Sequence, residues 1–79
     1  MRVKEMKLTK NLTVTKMVEM TVTANKFESQ IYIVGKNYKV DAKSLMGLLA
    51  TIRNGTEVTI ITRGEDEEEA IKELIKVLV

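Results

Sequence analysis

A chain of 79 residues has room for one small domain. It is 44% hydrophobic and 30% charged, which excludes disorder, and its net charge of +2 makes a weak electrostatic case for nucleic acid. It has no cysteine and no histidine, which excludes disulfides, thiolate nucleophiles, cysteine-based metal sites and the commonest general base.

Proline and tryptophan are also absent. No apolar run reaches the ~18–20 residues of a membrane span, and no secretory leader is visible. The expectation is a soluble, cytoplasmic domain over 1–79, with no membrane insertion, no cofactor, no metal and no enzymatic activity of its own. The charge is uneven. Eight basic residues stand against three acidic ones up to position 40, and five against eight beyond it.

In chain order, Arg2 to Leu8 is a candidate first strand. Residues 13–27 read two ways. Thr13, Val14, Thr15, Val18, Thr21, Val22 and Thr23 are β-branched and favour a strand. Val14, Met17, Val18, Thr21 and Ala24 also form a helical stripe. Gln30–Val34 and Tyr38–Val40 read as strands joined by Gly35-Lys36-Asn37, residues that tolerate positive φ in a hairpin turn. Ser44 is placed to cap a short helix over 45–51, in which Gly47 permits close packing. Asn54-Gly55 marks a turn into a strand over Glu57–Thr62.

Gly64 ends that strand. The acidic run Glu65 to Glu69 then opens a helix over about 66–78, where negative charge complements the dipole. Its apolar stripe is Ala70, Ile71, Leu74, Val77 and Leu78, with Ile75 at the edge. Glu68–Lys72 and Glu73–Lys76 are expected surface pairs. If 13–27 is helical, the order is that of an α+β layer with helices on one face of a mainly antiparallel sheet. No glycine-rich phosphate loop, catalytic carboxylate pair or aromatic–basic interleaving is present.

The stretch Lys43-Ser44-Leu45-Met46-Gly47-Leu48-Leu49 resembles the regulatory-serine motif of the HPr family, the small phosphocarriers of the bacterial sugar phosphotransferase system. The likeness continues through Asn54 to Ile60 and through the acidic lead Gly64 to Ala70. Upstream it includes Ala24, Lys26, Phe27 and the strand pair around Gly35-Lys36-Asn37. A loop near Thr51–Arg53 is one residue short. The resemblance implies an open-faced β-sandwich, βαββαβα, with a four-stranded antiparallel sheet under three helices. It also implies that the ambiguous segment is a helix, over about 14–25.

The departure from the family lies before that helix. The family's Gly-aliphatic-His-Ala-Arg-Pro corresponds to Asn11-Leu12-Thr13-Val14-Thr15-Lys16. Thr13 stands at the histidine position, Thr15 at the arginine position and Lys16 at the proline. A threonine hydroxyl needs an adjacent base to act as a nucleophile, and its phosphate ester is inert beside a phosphoramidate. In this respect the chain resembles the catabolite-repression type of HPr.

By the same resemblance, Ser44 is the expected regulatory phosphorylation site. Met17, Met20, Lys43, Leu45, Met46 and Leu49 are the expected protein-docking residues. The implied partners are an HPr kinase, a transcription regulator or a metabolic enzyme, not nucleic acid. The alternatives are a scaffold use of the fold without phosphorylation, and a phosphocarrier that uses Thr13.

Overall fold

The computed structural model describes residues 1–7, 12–51 and 57–79. The expected Asn54-Gly55 turn and most of the shortened loop lie outside them. Four strands and three helices alternate as β1 (Arg2–Lys7), α1 (Val14–Ala24), β2 (Gln30–Val34), β3 (Lys39–Asp41), α2 (Leu45–Thr51), β4 (Glu57–Arg63) and α3 (Glu67–Leu78). The sheet order is β1-β4-β2-β3, and all three pairings are antiparallel. This is the expected open-faced sandwich, with the helices on one face.

Strand alternation decides which residues enter the core. On β4, Val58, Ile60 and Thr62 are buried while Glu57 and Arg63 are exposed. Ile31 and Ile33 of β2 and Val40 of β3 face the same way. They meet Met17, Met20 and Ala24 of α1, Leu48 of α2, and Ala70, Ile71 and Leu74 of α3. Burying such side chains is the main favourable term for a domain of this size.

α1 forms against its local preference. Its buried face is Met17, Met20 and Ala24, whereas Val14 and Val18 of the expected stripe are exposed. The apolar face is therefore turned from the one the sequence suggested, so that Met20 reaches the core. The hairpin between β2 and β3 also differs from expectation. It uses no positive φ at Gly35, Lys36 or Asn37. The Tyr38 ring instead lies against Gly35, in the space that a Cβ would take. The expected surface pairs on α3 form, at 3.7 Å for Lys72–Glu68 and 3.6 Å for Lys76–Glu73.

The start of α3 is tied to the entry of β2. Asp66 Oδ2 accepts from the Glu28 amide at 2.9 Å, and Oδ1 accepts from the Ser29 amide at 2.9 Å. The Ser29 hydroxyl donates to the same Oδ1. The Ser29 hydroxyl and the Glu28 amide hold the Asp66 carboxyl below the ordinary aspartate value of 3.8. A depressed folded-state pKa means stability present above the unfolded value and lost as pH falls through the folded one. Asp66→Asn should therefore flatten the fall in stability below pH ~4 and lower stability at neutral pH. Urea melts of both proteins across pH 2–7 check this.

Candidate functional site

Ser44 sits where β3 hands over to α2. Its amide donates to the Asp41 carbonyl at 3.0 Å, and its carbonyl accepts from the Leu48 amide at 3.1 Å. Its Oγ accepts from the Gly47 amide at 3.1 Å. Ser44 thus caps α2 as expected, and the residue is exposed. Gly47 keeps this turn tight, since a Cβ there would stand 2.7 Å from Val40 Cγ2 and 3.2 Å from Ser44 Oγ.

Lys43 is bonded within the chain. Its Nζ donates to the Phe27 carbonyl at 2.7 Å, and its amide donates to Asp41 Oδ1 at 2.8 Å. Its carbonyl accepts from Asn25 Nδ2 at 3.2 Å, and the same amide group donates to the Thr21 carbonyl at 2.8 Å. Lys43 is a brace between the end of α1 and the start of α2. The sequence could not show this, because its partners lie 16 and 18 residues away.

Thr13 caps α1. Its Oγ1 accepts from the Lys16 amide at 3.1 Å, and its carbonyl accepts from the Met17 amide at 3.0 Å. Thr13 and Thr15 are both exposed. Lys16 Nζ stands 3.8 Å from Glu19. Among the described residues the Thr13 hydroxyl makes no bond to a basic side chain, and the chain has no histidine to supply one. That arrangement satisfies a helix end and does not activate a nucleophile.

The expected docking residues divide. Met17 and Met20 belong to the core, with Met20 fully buried, so neither presents a surface. Leu45 is half-buried and packs against the core. Met46 is 83% exposed and Leu49 is 43% exposed. α1 instead exposes Val14, Val18 and Val22, valines spaced four residues apart on one side of the helix. The β-branched signal at these positions, read first as strand, marks this outer stripe. α1 and α2 pack against each other, and each exposes apolar side chains.

Comparisons with known proteins fit this arrangement. The family described as "PTS HPr component phosphorylation site" matches residues 7–79. The HPr-like protein Crh of Bacillus subtilis (strain 168) is 48% identical over 52 residues, which cover 65% of this chain and 61% of that protein. The match thus spans about three fifths of this relative's length. The crystal structure of HPr-C-His from Thermoanaerobacter tengcongensis has a TM-score of 0.89 at 34% identity, covering 99% of this chain and 91% of that one. The structure of Bacillus subtilis Crh, described as a swapped, intertwined dimer, has a TM-score of 0.76 at 37% identity, covering 87% and 80%. Among the described residues no helix is long and apolar enough to cross a membrane. With the whole sheet, the helix order and nearly every position matched, this chain belongs to the HPr family.

Proposed function

We propose that this HPr-family protein is a regulatory protein-binding module of the phosphotransferase system, not a phosphocarrier, and that phosphorylation of Ser44 controls its binding. The observation that carries the reading is the pairing of two features at one place. An exposed serine hydroxyl caps α2, and exposed Met46 and Leu49 follow it on that helix. The similarity to Crh supports the regulatory reading. On this reading Thr13 stands at the family's histidine position, and its hydroxyl caps a helix, which argues against phosphate relay.

A phosphate on Ser44 Oγ adds about −1.5 to −2 charges and three strong acceptors. The Lys43 ammonium donates to the Phe27 carbonyl. Because Ser44 is exposed, that charge is added at the surface, on the turn that leads into exposed Met46 and Leu49. A partner that reads the phosphorylated form needs a cation, preferably arginine, next to an apolar pocket. A transcription regulator or a metabolic enzyme is the proposed partner class, and an HPr kinase the proposed modifier.

Met46→Lys and Leu49→Lys should abolish partner capture while leaving the fold intact. The expected change in stability is within about 0.5 kcal/mol, or roughly 2–4 °C in Tm. Pull-downs with phosphorylated and unmodified chain, run beside thermal melts of the variants, test this. Recovery of no partner by either form would count against a binding module.

A further inference from the structure

The peptide that joins Lys43 to Ser44 is held at both of its polar groups. Its N–H, on Ser44, donates to the Asp41 carbonyl at 3.0 Å, and its C=O, on Lys43, accepts from Asn25 Nδ2 at 3.2 Å. The peptide that follows Ser44 is held through its C=O, which accepts from the Leu48 amide at 3.1 Å. The Gly47 amide on Oγ then selects the side-chain rotamer. The fold therefore sets the direction of the Ser44 hydroxyl.

These bonds differ in origin. Asp41, Gly47 and Leu48 are sequence neighbours of Ser44 and belong to β3 and α2. Asn25 stands at the end of α1 and reaches the turn from 18 residues away. Its side-chain amide also donates to the Thr21 carbonyl at 2.8 Å. That carbonyl already accepts from the Asn25 backbone amide at 3.0 Å, so closing the end of α1 does not depend on the side chain. Both polar neighbours of Asn25 Nδ2 are acceptors, and the position calls for two donors on a short side chain.

We infer that Asn25 is a positioning residue for Ser44, fixing the Lys43–Ser44 peptide so that the hydroxyl is offered to the kinase in one direction. The inference rests on the reading of Ser44 as the phosphorylation site. In that reaction Ser44 Oγ attacks the γ-phosphorus of ATP, its proton passes to a base of the kinase, the bond to the β,γ-bridging oxygen breaks, and ADP leaves. Such in-line transfer depends on positioning, and a displacement of about 1 Å can cost roughly 100-fold. A serine in an extended segment adapts to the enzyme. Ser44 is closed into a turn by its own bonds, so its direction is inherited from the residues that hold the turn.

Asn25→Asp keeps the size of the side chain and sets a carboxylate against two carbonyl oxygens, while Asn25→Ala removes the bonds without adding charge. Steady-state phosphorylation of the chain by an HPr kinase with ATP compares both variants with the parent, below the onset of their thermal melts. Amide hydrogen exchange at Ser44 and Gly47 is followed in the unmodified chains without kinase. The expected result is a kcat lowered roughly three- to tenfold in both variants, with KM changed less than about twofold, because exposed Met46 and Leu49 are untouched. Exchange at Ser44 and Gly47 should quicken by a similar factor. A kcat equal to the parent's would overturn the inference. So would a rise in KM alone, which would make Asn25 a contact of the kinase, or a fall in kcat with exchange unchanged. A parent chain that takes no phosphate would overturn the Ser44 reading itself, and this inference with it.

Discussion

Gly64→Ala is expected to cost about 3 kcal/mol and to lower Tm by roughly 12–24 °C. Two independent effects act at this position. Gly64 has φ +151°, a region that L side chains rarely adopt. A Cβ there would also stand 2.8 Å from Ser29 Cα and 2.6 Å from Ser29 Oγ. The first contact is with backbone and cannot be relieved by a rotamer change. Nor can Ser29 withdraw, because its amide and hydroxyl are both bonded to Asp66. On the other side, the Gly64 amide donates to Glu67 Oε1 at 3.1 Å, and the Glu67 amide donates to the Gly64 carbonyl at 3.3 Å. The turn is held from both ends. Thermal and urea melts of the variant measure the loss, and a drop under about 1 kcal/mol would show that the turn relaxes.

The second large effect separates core methionines from surface ones. Met20→Ala should destabilise the fold by about 3 kcal/mol, because Met20 is fully buried between the helices and the sheet. Met46→Ala should change stability by under about 0.5 kcal/mol, since Met46 is 83% exposed. Both residues carry the same side chain, so the contrast isolates position from chemistry. If Met20→Ala were as mild as Met46→Ala, α1 would be packed through another face.

The strands and α3 were legible because their signals are local. Alternation on β4 placed Val58, Ile60 and Thr62 inward, and the acidic lead with its following apolar stripe located α3. α1 was not legible from the same kind of signal. Its β-branched residues oppose a helix, and the gain that overrides them comes from burying Met17, Met20 and Ala24 against distant strands. The family resemblance supplied what propensity could not. The site was legible in its motif and less so in its parts. Ser44 reads as a cap from its neighbours alone. The Asp66 tie to Ser29 spans 37 residues, and the Lys43 brace to Phe27 spans 16, so neither leaves a pattern in the sequence. Methionine suits both cores and interfaces, so only packing separates buried Met17 and Met20 from exposed Met46.

The glycines divide in a similar way. The turn at Gly64 was expected, and the structure adds that Ser29 occupies the space a side chain would need. At Gly35 the expected reason was conformational freedom, but φ is not positive there and the Tyr38 ring lies against it.

The most direct test of the regulatory reading is intact mass after incubation with ATP and an HPr kinase. A parallel reaction uses phosphoenolpyruvate and the first enzyme of the phosphotransferase system. The account predicts a single phosphate added by the kinase, absent from Ser44→Ala, and none added from phosphoenolpyruvate. Phosphate gained from phosphoenolpyruvate and lost in Thr13→Val, or no phosphate gained from the kinase, would contradict it.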